Sequence, residues 1–526
     1  MAKKEKLQII ISAKDAASAT LKKLDHAFSG MKRSLAGLSH QIFSLKGALA
    51  GLGLGLTARD FLETAESFEA LRTRLETITG SASRAEKAMS WITDFAAYDL
   101  WAKPLGLLYL GDMLRQREEI NVRLLDCLDL ALLPPPLRQT VKRRRYGTGH
   151  YFQQEIDKPA AVRDVPRRYK RYGLPEEVFR DQLEKLPAPD VVLVTSRMTY
   201  WYPGVQQTIR VIRKVFPAAV VVLGGIYATL CPEHARRRAG ADHVITGSDP
   251  GKLFRLLKEM KVVSAVPPAG ELDIFKFSPA WDLYRQHDFL VLLTSLGCPY
   301  SCPYCASNQL HPGYRRRSPD RLFAELESWL SRYPEVRDIA FYDDALLLEA
   351  EAFIIPFLER VTRFFPGLRF HTPNGLHVNA VTPFLARAMK DAGFTTIRLS
   401  LETTSETLQR QWGGKTAKTR FEQTIADLQA AGFSPEQLDV YLLVGVPGQR
   451  WQQVKEDVEF VQSLGLHPRL TEYSPLPGTA LWPEAREAAA VDLASEPLFH
   501  NNTLVSCGGF EFSPERLNQL KHLARS

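Results

Sequence analysis

Hydrophobic and polar positions alternate in two different ways along this chain. From Ala13 to Phe28 and from Ala58 to Ile78 apolar residues and alanines recur at helical spacing, with a Gly-Leu-Gly-Leu-Gly stretch between them. From Tyr98 the pattern becomes an alternation of short apolar runs and amphipathic helices. Helices are expected at Pro104–Arg117, Pro175–Leu186, Gly204–Val215, Pro232–Ala239 and Lys252–Met260, and strands at Asn121–Leu128, Asp190–Thr195, Ala219–Leu223 and His243–Thr246. Such alternation predicts an open parallel sheet of doubly wound type. A sheet of this kind begins with a buried apolar strand, yet Ser81–Ser90 is polar and helix-prone. The first strand is therefore expected to be absent. Leu7–Ser12 is strand-like, but it lies about 80 residues upstream, and consecutive elements usually pack together.

A proline-containing linker, residues 263–286, precedes a second alternation. Its strands are Phe289–Ser295, Val336–Tyr342, Leu368–Thr372, Thr396–Leu401, Leu438–Val444 and Pro468–Tyr473. The helices between them are Arg321–Ser331, Ala350–Phe365, Pro383–Ala392, Lys418–Ala431 and Arg450–Leu464. Six repeats of that length predict a partial parallel barrel with chemistry at the carboxyl ends of its strands. The fold class is thus α/β, a Rossmann-like parallel sheet followed by a partial (β/α)6 TIM-type barrel, preceded by a helical N-terminal segment. The expected divisions are 1–97, 98–262, the linker 263–286, the barrel 287–480 and an extension 481–526, the last too short for a third catalytic domain.

Composition adds exclusions. The 526 residues are 45% hydrophobic, enough for more than one core. The charge of +8 is spread through every segment; its two clusters, Lys142–Arg145 and Arg163–Arg171, carry no nucleic-acid motif and read as solvated surface. Leu7–Ile11 is too short for a signal peptide, and the glycine-rich Gly47–Leu56 is too short to span a membrane, so a cytoplasmic location is expected.

Three of the six cysteines fall in one short segment, Cys298-Pro-Tyr-Ser-Cys302-Pro-Tyr-Cys305, directly after the first barrel strand. This is a poor disulfide framework and a good set of soft ligands for iron–sulfur or zinc. Zinc would want a fourth ligand, for which His311 is the candidate, and Cys-x3-Cys-x2-Cys is not a usual zinc spacing. Three thiolates on a four-iron cube leave one iron open.

The cysteine triad with Tyr304 before its last member resembles the signature of the radical S-adenosylmethionine (SAM) superfamily. That resemblance implies a 4Fe-4S cluster on Cys298, Cys302 and Cys305, whose open iron binds SAM and whose electron cleaves it to a 5'-deoxyadenosyl radical. It also implies an electron donor such as flavodoxin or ferredoxin. Tyr304 itself, Asp343 and Asp344 after the second strand, Ser400 and Glu402 at the end of the fourth, and Gly445 in Val444-Gly-Val-Pro-Gly448 match positions that meet SAM. A carboxylate suits its ammonium, and Ser400 and Glu402, as alternate strand residues, are expected on one face. Each of these also reads as an ordinary strand terminus or cap. Asn374, His377, Asn379 and Arg398 are further polar residues near the expected site.

The segment before the barrel resembles the cobalamin-binding domain that precedes it in one radical SAM subgroup. The likeness rests on Lys103-Pro-Leu-Gly-Leu-Leu-Tyr-Leu110, Leu125-Asp-Cys-Leu-Asp129, Thr195-Ser-Arg-Met-Thr199 and Gly224-Gly-Ile-Tyr-Ala-Thr-Leu-Cys-Pro-Glu233. It implies cobalamin contacts at Thr195, Ser196, Gly224, Gly225, Ala228 and Thr229, and methyl transfer as the commonest outcome. The sequence departs from the pattern in lacking Asp-x-His-x-x-Gly and in reading Gly247-Ser-Asp-Pro-Gly251 at the last turn. A domain kept only for packing is the plainer alternative. Finally, Ile11-Ser-Ala-Lys-Asp-Ala-Ala-Ser and Ala85-Glu-Lys-Ala-Met-Ser-Trp-Ile-Thr-Asp-Phe-Ala-Ala resemble the start of phage tail tape-measure proteins. That likeness implies a fusion at Trp91–Ala97, or a structural tail protein fused to a remnant enzyme. No specificity motif names the substrate, small molecule or peptide.

Overall fold

The computed structural model describes residues 7–12, 101–117, 120–165, 167–414 and 416–525. The helical periodicity of 13–98 and most of the tape-measure likeness lie outside the described residues.

The first sheet has five parallel strands: β1 (Leu7–Ser12), β2 (Ile120–Leu124), β3 (Val191–Ser196), β4 (Val220–Gly224) and β5 (His243–Val244), in the order β2-β1-β3-β4-β5. The opening strand is therefore present, and it is Leu7–Ser12. Its backbone pairs on one side with β2 (Ile9 opposite Val122) and on the other with β3 (Ile10 opposite Val192). Sheet pairing requires an extended backbone in register and is indifferent to how much chain intervenes, because closure entropy grows only slowly with loop length. Strand alternation sorts side chains to two faces. Val191 and Leu193 share one apolar core with helices Leu105–Arg115 and Pro250–Glu259, while Val192 and Val194 share another with helices Glu176–Glu184 and Tyr202–Val215.

The second sheet, also parallel, runs β11-β10-β9-β8-β7-β6. These strands are β6 (Leu290–Leu292), β7 (Asp338–Phe341), β8 (Arg369–His371), β9 (Phe394–Glu402), β10 (Leu438–Val444) and β11 (His467–Glu472). Intervening helices begin at polar caps followed by proline: Ser318 accepts from Arg321 N–H and Thr382 from Leu385 N–H, ahead of Pro319 and Pro383. Ile339, Phe370, Leu399 and Leu442 join the apolar core. The alternate positions form a polar network. Asp338 binds Arg369 at 2.6 Å and His371 Nε2 at 3.0 Å, and Arg398 donates to Tyr441 Oη at 2.7 Å. Trp101 stacks on His371 at 5.0 Å and Tyr146 lies 4.9 Å from the same ring, so residues from the first region enter this polar space. Tyr146 sits at the tip of the basic cluster, at φ +63°. Lys142, Arg144 and Arg145 themselves are exposed, as a solvated basic surface would be.

The C-terminal extension is a strap across both regions. Leu481 N–H donates to Pro303 O at 2.9 Å, beside the cysteine loop. His500, buried, faces Thr199 Oγ1 at 3.0 Å and donates from Nε2 to Leu493 O at 2.8 Å, and burial holds its pKa down at about 4. Among the described residues no helix is long and apolar enough to cross a membrane.

Candidate active site

After β6 the chain forms a narrow loop whose base is an antiparallel pair, Ser295–Leu296 against Arg315–Arg316. Gly297 stands at φ +76°, and a Cβ there would lie 1.8 Å from Gly313 O, so only glycine permits the two arms to cross this closely. The tip carries Cys298 (buried), Cys302 (half-buried) and Cys305 (exposed), none of them in a disulfide. Cys305 N–H donates to Cys302 O at 3.0 Å, and Ser307 Oγ lies 3.2 Å from Cys305 Sγ. Burial first, and the neighbouring Cys305 and Cys302 charges with it, push the Cys298 thiol up to about 11. Among the described residues the three sulfurs are not drawn together into a closed metal site, but three soft thiols on one loop are the donors an iron cluster takes, and its charge would hold them deprotonated. The donor set fits a cluster with one open corner. Tyr304 is mostly enclosed; burial and the charges of Glu402 and Cys302 raise its pKa, which places Glu402, Tyr304 and Cys302 together.

Asp343 and Asp344 are adjacent in sequence and differ in position. Asp343 is buried, and its Oδ1 accepts from Thr294 Oγ1, Ser295 N and Ser295 Oγ, each at 2.6 Å. Burial raises its pKa to about 6 against those hydrogen bonds. Its carboxylate therefore ties down the turn that launches the cysteine loop, and the expectation that it meets an ammonium is corrected. Asp344 is exposed in a groove that Asp343 also lines from its floor, together with Tyr300, Leu348, Gly375 and His377, and the Tyr300 and His377 rings stack 3.9 Å apart. Burial raises its pKa, opposed by the Ser307 hydroxyl and the His311 charge. Asn374, unassigned in sequence, donates to Tyr342 O and Asp343 O, both at 3.1 Å, and so braces this strand end.

Ser400 is buried beside Gly375, where a Cβ would come within 2.1 Å of its Oγ. Glu402 departs from expectation. The β9–β10 register shifts between Ser400 and Glu402, and Glu402 has φ +65°, so strict alternation does not relate the two side chains. Gly445, at φ +82°, gives its N–H to Gln449 Oε1 at 2.8 Å, and a Cβ would meet Val505 of the strap at 2.3 Å. Its glycine is needed for that packing.

At the carboxyl edge of the first sheet, helix Gly225–Leu230 starts directly from β4. Gly225 (φ +85°) leaves room for Thr195 Oγ1, which would lie 2.1 Å from a Cβ, while a Cβ on Gly224 would find nothing nearer than Ile245 O at 3.9 Å. Thr229 Oγ1 donates to Gly225 O (2.8 Å) and accepts from Gly247 N (3.0 Å), sewing two turns together. Ser196 Oγ donates to Met198 O at 2.8 Å. Ala228 is fully buried in the core and is corrected from a ligand contact to a packing residue. Gly224 and Gly225 leave open backbone on which a flat ligand can settle, which fits cobalamin at this edge.

The profile of the Radical SAM superfamily matches residues 292–461 and that of the B12 binding domain matches residues 168–254. The chain carries a radical SAM domain and a B12-binding domain. Its cofactors are those of the two families: a 4Fe-4S cluster, SAM and cobalamin. An uncharacterised methyltransferase of Pyrococcus horikoshii is 25% identical over 396 residues, covering 68% of this chain and 82% of the relative. An anaerobic magnesium-protoporphyrin IX monomethyl ester cyclase of Cereibacter sphaeroides is 21% identical over 356 residues, 60% of this chain and 56% of the relative. Among solved structures, the radical SAM methyltransferase TsrM of Kitasatospora setae with cobalamin and a [4Fe-4S] cluster bound superposes with TM-score 0.53 at 15% identity, over 76% of this chain and 78% of that one. The same enzyme with tryptophan and a SAM analogue gives 0.52 at 16%, over 73% of each chain. At these identities the structural likeness shows the fold. The radical SAM protein is an enzyme that requires a reductant.

The geometry separates the two aspartates by experiment. Asp344→Asn is expected to weaken SAM binding by about 1–3 kcal/mol with the cluster intact, because a charge-assisted hydrogen bond is lost. Asp343→Asn is expected instead to lower cluster content, since it unties Thr294 and Ser295. Equilibrium dialysis with SAM and iron determination distinguish the two, and an unchanged SAM affinity in Asp344→Asn removes that residue from the site.

Proposed function

We propose that the protein is a cobalamin-dependent methyltransferase in which Cys298, Cys302 and Cys305 hold the cluster, Asp344 receives the SAM ammonium, and the Gly224–Gly225 edge with Thr195 receives the corrin. When bound, the cluster supplies the electron that cleaves SAM, and cobalamin supplies a methyl carrier. The observation that carries this reading is contact between the two sites. Helix Ser307–Leu310, which follows Cys305, packs on helix Gly225–Leu230 through Ala306 and Leu310, which share an apolar core with Ala228 and Leu230. The first region extends over residues 98–262 with β1 added, and the barrel over 287–480. Tyr304 lies between Cys302 and Glu402 and shields that side of the cluster from water. The reduced thiols suit a reducing, cytoplasmic compartment, with flavodoxin or ferredoxin as electron donor.

The protein reconstituted anaerobically with iron, sulfide and cobalamin, then incubated with reductant, methyl-labelled SAM and a small-molecule extract, is expected to retain cobalamin through gel filtration and to place label in a new product. Cleavage of SAM without cobalamin retention would leave a radical SAM enzyme and overturn the methyltransferase reading.

A further inference from the structure

Two side-chain donors just ahead of helix Leu105–Arg115, Lys103 and Trp101, have no carboxylate partner among the described residues. Lys103 precedes helix Leu105–Arg115, and its ammonium lies 3.8 Å over the Tyr284 ring and 5.6 Å from the Phe289 ring. Asp126, Asp129 and Asp288 are near enough to favour its charge, and Arg143 opposes it; burial outweighs all four and lowers its pKa. None of the three carboxylates reaches ion-pair distance of Lys103 among the described residues, and each is engaged elsewhere. Asp126 accepts from Tyr284 Oη (2.6 Å) and Leu128 N (2.9 Å), Asp129 from Ala131 N (2.9 Å), and Asp288 pairs with Arg143 (3.2 Å). Two residues away Trp101 is 4% exposed, and its indole Nε1 is buried without a partner. Arg197 lies 5.5 Å over the Tyr342 ring. The Tyr342 hydroxyl gathers this set: it donates to Trp101 O and accepts from Lys103 N at 3.0 Å.

A buried indole N–H without an acceptor costs free energy unless a ligand supplies an oxygen, and the half-buried Lys103 ammonium beside it has no carboxylate at ion-pair distance among the described residues. Both groups only donate, which matches an oxyanion. The walls here are flat rings, Trp101, Tyr284, Phe289 and Tyr342, which suit a planar body. Tyr342, whose hydroxyl bonds the backbone of Trp101 and Lys103, directly precedes Asp343-Asp344 in the chain, and Arg197, over its ring, directly follows Thr195-Ser196.

We propose that Lys103 and Trp101, flanked by Arg197, anchor the carboxylate of a planar carboxylic acid substrate among these rings. This rests on the proposed function for the position of the cofactors. The phosphate of cobalamin's nucleotide is the other source of such an oxyanion, and the test separates the two. Protein reconstituted with cluster and cobalamin is titrated anaerobically by calorimetry with benzoate, its neutral isostere benzamide, and phenyl phosphate. Benzoate is expected to saturate; Lys103→Met weakens it about tenfold or more, as loss of a charged hydrogen bond should. Trp101→Phe, which keeps the ring and removes the donor, weakens it about fivefold. Benzamide is expected to bind all three proteins weakly and alike. Circular dichroism and cluster absorbance report that the variants are folded, and the tryptophan variant carries the test if the lysine variant is not. Equal benzoate binding by wild type and the folded variants overturns the proposal. So does a preference for phenyl phosphate with cobalamin shed by Lys103→Met, which assigns the donors to the nucleotide phosphate. If wild type retains no cobalamin yet binds benzoate through Lys103, the methyltransferase reading fails and the anchor stands.

Discussion

Cys302→Ala is expected to abolish the brown iron–sulfur absorbance and reductive cleavage of SAM together. In the proposed site each thiolate would hold one corner of the cluster and one iron would stay open for SAM, so two thiolates would leave a second iron without a protein ligand. Cys302 is also the central member of its loop: its carbonyl accepts from Cys305 N, and Gly413 lies beside it, a Cβ there standing in ordinary contact at 3.7 Å from its Sγ. Cys507→Ala is the control. Cys507 is buried in a satellite core with Tyr473 and Ala485, and its thiol makes a weak polar contact to Ala485 O at 3.5 Å. Its loss should cost about 1 kcal/mol of packing and leave the cluster intact. Iron and sulfide content with 5'-deoxyadenosine production check both variants. Zinc in place of iron in anaerobically purified protein would overturn the assignment.

Ile10→Pro is expected to open the first sheet and spare the second. The backbone at Ile10 sits opposite Arg123 on one side and Val192 on the other, so proline removes an N–H from an interior strand and imposes its own φ. The local cost is about 3 kcal/mol or more, and β2 is then cut off from β3. Cobalamin retention should fall and limited proteolysis should cut first between Tyr98 and Val262. The barrel, whose strands all begin at Leu290 or later, should keep its cluster absorbance. A truncated chain starting near Tyr98 should behave likewise, because it lacks β1. Unchanged proteolysis and cobalamin retention in Ile10→Pro would show that Leu7–Ser12 contributes nothing to the sheet.

What could be read in advance was local. The run Val191–Val194 is apolar on both faces and short, as a buried parallel strand must be, Leu438–Val444 is apolar but for Asp439 and Tyr441 on one face, and Ser318-Pro319 and Thr382-Pro383 announce their helices. The cysteine spacing was legible because ligands on a single loop are constrained by sequence distance alone. Sequence alternation misjudged Glu402, because the bulge after Ser400 depends on the register of the neighbouring strand. It also could not divide Asp343 from Asp344, since a carboxylate's freedom depends on which donors surround it, and Thr294 and Ser295 are distant in the chain.

By itself, then, the sequence determined the two alternating α/β patterns, the cysteine loop at the end of the first barrel strand and the glycine pair at the edge of the first sheet, because periodicity, soft ligands and backbone permissiveness are properties of short segments. The tertiary structure alone decided that Leu7–Ser12 is the interior strand, that Asp343 ties down the loop while Asp344 stands exposed in the groove they share, that Tyr146 and Trp101 enter the barrel's polar space, and that Lys103 stands over rings. These depend on burial and on pairings between segments far apart in the chain, and neither is encoded in any local pattern.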